Sequence, residues 1–156
     1  MKFTHLDSAG QARMVDVTDK QPTKRAATAS ATVVCDPEIL KRIASGEMPK
    51  GDVLAVARIA GIAAAKRTPE LLPLAHVIGV HGAAVDLTLG TESIEVVATV
   101  RTADRTGVEM EALTAASVAA LALIDMVKGL DRHAHIREVK LLAKEGGRSG
   151  SWRRDA

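Results

Sequence analysis

Large rings are almost absent from this chain: Phe3 and Trp152 are its only aromatic residues, tyrosine is missing, and alanine occurs 27 times. A core without rings must be filled by Ala, Val, Leu and Ile, and helices made of such residues can pack closely. With 156 residues, 47% of them hydrophobic, the chain suits one domain spanning residues 1–156. Its composition is neither apolar-poor nor strongly charged, which disfavours disorder. The aromatic poverty also argues against a nucleic-acid partner, because single-stranded bases are usually gripped by stacking. Twenty-one Lys and Arg against 19 Asp and Glu leave a net charge of +2, too weak for a polyanionic polymer but compatible with a small phosphorylated ligand.

Two further exclusions follow. The longest uncharged apolar stretch, Ala112 to Ile124, is 13 residues long. A span needs about 20, so a buried helix is expected and no membrane partner. Met1 to His5 contains no apolar run of the secretory kind, and the lone Cys35 excludes an internal disulfide or a cysteine-rich zinc site. Cytoplasmic residence is the resulting expectation.

The patterning predicts an α+β chain. Residues 1–24, polar and turn-rich with one apolar pair at Met14-Val15, read as an N-terminal arm that offers an edge strand, and 145–156 as a flexible basic tail. Between them, Arg25–Val34 alternates as a strand should. Asp36, Pro37 and Gly46 mark the cap, first position and stop of a helix. Gly51–Lys66 predicts a second helix, closed by Thr68-Pro69. Ala84–Leu89 and Ile94–Arg101 predict a hairpin around Gly90-Thr91-Glu92. Thr106 and Glu109 have capping-box spacing before a long helix that Gly129 should end, and Ile136–Ala143 predicts a last strand. This is the β-α-β-β-α-β order of a ferredoxin-like sandwich, an antiparallel sheet with helices on one face. Its other face would invite self-association.

The long helix carries the most informative chemistry. Glu111, Thr114, Asp125 and Lys128 fall on one side of a helix that is otherwise apolar. Asp125 and Lys128, three residues apart, can pair. Such a stripe is either a satisfied structural ion pair on a solvated edge or an acid–base couple in a cleft. Glu111 and Asp125 are 14 residues apart, or roughly 21 Å along a helix. They cannot touch one reacting atom, so a site using both needs a long ligand or a pocket shared by two copies of the chain; the latter is favoured. Lys50-Gly51-Asp52 precedes a helix and either cradles a phosphate or merely caps. No Walker pattern is present. Lys66 and Arg67 sit where the helix dipole welcomes cations in any case. His76 stands alone in a turn, and His133 and His135 have no third ligand nearby, so no metal is expected.

At these same positions the chain resembles a known family. Met14-Val15-Asp16-Val17, Lys50-Gly51-Asp52, Ala57-Arg58-Ile59-Ala60-Gly61-Ile62, Ala65-Lys66-Arg67-Thr68 and Leu72-Pro73-Leu74 with His76 recur in order. So do Thr106-Gly107-Val108-Glu109-Met110-Glu111-Ala112-Leu113-Thr114, Asp125-Met126 with Lys128, and Leu141-Leu142-Ala143-Lys144 before Gly146-Gly147 and Ser149-Gly150. Over nearly the whole length this is similar to the cyclic pyranopterin monophosphate synthase family, molybdenum cofactor biosynthesis protein C. The resemblance implies a ferredoxin-like subunit in a homohexamer, a trimer of dimers with pockets at the dimer interface. It implies a lyase that converts 3′,8-cyclo-7,8-dihydroguanosine 5′-triphosphate to cyclic pyranopterin monophosphate and pyrophosphate, without a cofactor. The substrate would come from a radical SAM GTP cyclase.

Carried over by position, the resemblance makes Asp125 catalytic, Lys128 its acid–base partner, and Lys50 an auxiliary facing the triphosphate. Leu74, Ala75 and His76 form one substrate-contacting segment, Met110 and Glu111 another, with Glu109 and Lys66 at the margin. Three positions depart from the family pattern: Ala75 and Val127 stand where Cys is usual or common, and Ile124 where Tyr is usual. These departures keep a second reading in view, a non-catalytic or low-turnover oligomeric paralogue that binds a purine nucleotide.

Overall fold

The computed structural model describes residues 5–155. Strand β1 (Thr23–Val34) is followed by helices α1 (Pro37–Ser45), α2 (Val53–Ala65) and the single turn α3 (Thr68–Leu71). Strands β2 (Gly82–Leu89) and β3 (Ser93–Asp104) form the hairpin, α4 (Glu109–Val127) crosses the sheet, and β4 (His135–Glu145) and β5 (Trp152–Arg153) complete it. The sheet order is β2-β3-β1-β4-β5, antiparallel throughout. The ferredoxin-like arrangement is thus present, with a short fifth strand at one edge.

Local chemistry explains the element boundaries. Asp36 accepts a hydrogen bond from the Glu38 backbone N–H, Pro37 opens α1, and Gly46 closes it at φ 74° with its N–H turned back to Arg42 and Ile43. Only glycine takes that left-handed position at little cost. Asp52 caps α2 by accepting from the Ala55 N–H at 2.9 Å.

The core is built from small residues, as the composition requires. On β1 and β3, Ala27 faces Val100, Ala29 faces Ala98, Ala31 faces Val96 and Val33 faces Ile94, and all eight are buried. Helix α4 lays Ala112, Ala115, Ala116, Ala119, Ala120 and Leu123 in the same layer. Gly61 sets the spacing of α2 and α4: a Cβ there would stand 2.8 Å from the Ala115 carbonyl oxygen and 3.1 Å from Ala119 Cβ. The apolar length of α4 is therefore spent against the sheet and α2. Strand alternation puts Thr28, Ser30, Thr32, Val97 and Thr99 on the face without helices. There Ser30 Oγ is buried without a hydrogen-bond partner among the described residues.

Three expectations need correction and a fourth holds with a different geometry. The capping box does not form: α4 begins at Glu109 with Val108 at its N-cap and no side-chain cap. Val108 is buried in the core, which fixes the start of the helix there, and Glu109 pairs instead with Lys144 of β4 at 3.2 Å. The long helix ends where expected, with Lys128 as C-cap just before Gly129, but that glycine does not take the left-handed conformation, and Leu130 and Asp131 both donate to the Val127 carbonyl. Among the described residues the N-terminal arm supplies no edge strand to the sheet, and its one strand-like pairing is the bridge between Leu6 and Ala12. Within the segment read as a flexible tail, Trp152 pairs with Lys144 and Arg153 with Ala143, and Arg154 donates to the carbonyls of Leu141 and Leu142.

Candidate active site

Helix α4 has chemistry at both ends. At its C-terminal end, Lys128 Nζ lies 2.7 Å from Asp125 Oδ1. Lys50, presented by the loop before α2, donates to the Asp125 carbonyl oxygen at 2.7 Å. That carbonyl belongs to the last turn, whose acceptors have no partner within the helix. The sequence Lys50-Gly51-Asp52 therefore does two jobs: Asp52 caps α2 while Lys50 reaches across to α4. The Asp125 carboxyl is held below its ordinary range by the hydrogen bond from Lys128, then by the charges of Lys128 and Lys50. The turn that follows is fixed by Asp131, whose carboxylate accepts from the backbone N–H groups of Asp36, His133 and Ala134. Asp125 and Lys128 are nonetheless 62% and 61% exposed in the isolated chain.

The N-terminal end of α4 lies in a cleft. A cavity of about 470 Å³ is lined by Leu74, Ala75, His76, Glu109, Met110 and Glu111, together with Thr106, Gly107 and the arm residues His5, Val15, Val17 and Lys20. Glu111 is only 3% exposed, and burial pushes its carboxyl up, helped by the nearby Glu109 and opposed by its backbone hydrogen bond and by His76. The His76 Nε2–H donates to the Val15 carbonyl oxygen, which has no proton to give.

Six of the predicted substrate-contacting residues thus line one cavity, and the three predicted catalytic residues meet at the other end of the helix. Thr114 lies between them, nearly buried. Lys66 belongs to neither cluster: it is the exposed C-cap of α2. Sequence reasoning missed the arm as a wall of the cavity, although the block Met14-Val15-Asp16-Val17 pointed to it. It also missed the Lys144–Glu109 pair, which joins residues 35 positions apart through β4.

Fold and site define a class: a ferredoxin-like α+β subunit carrying a carboxylate–ammonium couple at one end of its central helix and a buried carboxyl in a ligand-sized cavity at the other. Comparison with known proteins makes that class specific. The MoaC family model matches residues 14–147, and the chain belongs to that family. It is 57% identical over 157 residues to the cyclic pyranopterin monophosphate synthase of Geobacter metallireducens, covering 99% of this chain and 98% of the relative. It is 54% identical over 153 residues to the synthase of Streptomyces coelicolor, with 98% and 90% covered. To that of Chloroflexus aurantiacus it is 55% identical over 155 residues, with 98% and 95% covered.

Proposed function

We infer that this chain is a cyclic pyranopterin monophosphate synthase acting in molybdenum cofactor biosynthesis. It converts 3′,8-cyclo-7,8-dihydroguanosine 5′-triphosphate to cyclic pyranopterin monophosphate and releases pyrophosphate. Identity above 50% along nearly the full length of chains bearing that activity carries the assignment. The low-turnover paralogue is not favoured: the three departures from the family pattern leave Asp125, Lys128, Lys50, His76 and Glu111 in place.

The reaction opens one ring, builds another and closes a cyclic phosphate, so protons must move repeatedly. Asp125, kept ionised, accepts a proton beside the ammonium of Lys128, which gives one. Lys50 spends one N–H on the Asp125 carbonyl and keeps the others for phosphate oxygens as pyrophosphate leaves. His76, Met110 and Glu111 hold the substrate at the cleft end.

We further propose that each pocket is completed by a second copy of the chain. One unbroken helix separates Glu111 from Asp125 by roughly 21 Å, so within one chain the two clusters cannot close on one substrate. The exposure of Asp125 and Lys128 suits a surface that a neighbour covers, and the helix-free sheet face suits further assembly into a trimer of dimers. The substrate then comes from a radical SAM GTP cyclase. Cytoplasmic residence is proposed on the single cysteine of the sequence alone.

The test supplies the cyclic dihydro-GTP triphosphate and follows pyrophosphate release, expected with wild-type protein alone. Mixing inactive Asp125→Ala and His76→Ala chains should then restore about a quarter of the sites, since half of randomly formed dimers would hold one intact pocket of two. No pyrophosphate from the wild type rejects the activity; no restoration on mixing rejects the shared pocket.

A further inference from the structure

Among the described residues two carboxyl groups are buried, Glu111 and Asp131. Glu111 belongs to the cleft. Asp131, 8% exposed, touches none of the predicted site residues through its side chain, and its two oxygens serve different parts of the chain. Oδ1 accepts from the N–H groups of His133 and Ala134 at 2.9 and 3.1 Å, which shapes the turn into β4. Oδ2 accepts from the Asp36 N–H at 2.9 Å, across 95 positions of sequence. That bond does most to hold the Asp131 carboxyl below its ordinary range, against the opposing effect of burial.

The two segments joined in this way carry the two halves of the exposed cluster. On one side, Asp131 and Leu130 close the end of α4 by donating to the Val127 carbonyl, so the turn bearing Asp125 and Lys128 is continuous with the buried carboxylate. On the other side, Asp36 is the N-cap of α1, a helix of nine residues that runs through Gly46 and the buried Met48 to Lys50. A helix is stiff, so the point where α1 begins sets where the Lys50 loop arrives. Lys50 and Asp125 are 75 positions apart and still meet at 2.7 Å.

We propose that Asp131 is a positioning residue for the reaction: by accepting the Asp36 N–H it keeps the Lys50 loop in register with the Asp125–Lys128 turn. The inference rests on the synthase reading above. A displacement of about 1 Å at a catalytic group can cost on the order of 10²-fold in rate. Because Asp131 itself meets no substrate and Lys50 acts as pyrophosphate leaves, the loss falls on kcat rather than KM.

Asp131→Asn separates the two jobs of the side chain. Its amide oxygen still accepts from His133 and Ala134, while its amide donor faces the Asp36 N–H and breaks that bond. In this variant kcat should fall roughly tenfold with KM within about a factor of two. In Lys50→Ala protein the same exchange should cost less than about threefold, because no Lys50 remains to be placed, whereas a mere buttress of the fold would cost the same in both backgrounds. From the donor side, Asp36→Pro removes the N–H at a position whose φ of −56° suits proline, and Asp36→Ala removes only the cap. kcat should fall roughly tenfold in the first and stay within about twofold of wild type in the second, and this pair decides the matter if Asp131→Asn does not fold.

Unchanged kcat in Asp131→Asn or Asp36→Pro, or equal losses with and without Lys50, overturns the inference and leaves the activity intact. Wild-type protein that releases no pyrophosphate overturns the activity reading, and hydrogen exchange then decides whether Asp131 joins the two segments. In Asp131→Asn, exchange of residues 50–52 and 125–130 should quicken roughly tenfold with the β2–β3 hairpin unchanged. Exchange that stays the same, or quickens everywhere, overturns the inference.

Discussion

The two ends of α4 reach unusual ionisation by opposite routes. At Glu111 the side chain is buried at the base of a cleft, and burial disfavours the charged form. At Asp125 the surroundings are water, and two ammonium groups favour the charged form. A buried carboxyl is tuned by its own fold; an exposed one depends on its partners, and its tuning is complete only when solvent is removed. In the proposed site, one helix thus offers an ionised carboxylate at one end and a carboxyl readier to hold its proton at the other.

The comparison can be broken most severely at the exposed end. Asp125→Ala should lower kcat/KM by roughly 10²–10⁴, the usual worth of a positioned acid–base group, while the melting temperature barely moves because its ion pair with Lys128 is exposed and such pairs contribute little. A variant that melts early, or turns over near the wild-type rate, would place the function of Asp125 in the fold instead.

Glu111→Gln should have the reverse profile. Activity should fall by about tenfold to a hundredfold through loss of a hydrogen-bonding carboxylate. Stability at neutral pH should rise, because no charge remains to bury. The pH dependence follows from the direction of the shift. Folded Glu111 retains its proton above the ordinary value of 4.5, so the native state binds more protons than the unfolded chain between 4.5 and its raised folded value. Its contribution to stability therefore falls as pH rises through that window and levels off above it. Urea titrations at successive pH values should show this slope in the wild type and not in Glu111→Gln; parallel curves would sink the assignment.

A smaller effect, common to both ends, is expected at their shared frame. Gly61→Ala presses a methyl group against the Ala115 carbonyl and should cost about 1–3 kcal/mol, the range for overpacking a tight contact. Calorimetric melting would measure it, and a neutral result would mean that α2 moves aside freely.

How much of this was legible in the sequence depended on how local the cause was. Asp36, Pro37 and Gly46 announced α1 because capping acts within one turn. The strand order emerged from alternation, and the matching blocks brought together His76, Met110 and Glu111. The Thr106–Glu109 spacing misled because tertiary forces won: Val108 belongs to the core and Glu109 to a distant lysine. Periodicity placed Glu111 and Asp125 on one stripe but carried no information on which end a loop would cover. The arm's part in the cleft escaped notice for the same reason, since its position depends on Arg105 and His76, 85 and 61 residues along from the backbone groups they hold.

The close seating of α2 on α4 at Gly61 has one more consequence. A helix locked at its midpoint acts as a gauge block between the two clusters, keeping both their separation and their angular phase. One residue added between Ala112 and Ile124 would lengthen it by only about 1.5 Å but swing one cluster about 100° relative to the other. Side chains in this segment can be exchanged, but its length cannot, which makes that length as much a part of the chemistry as the acids at its ends.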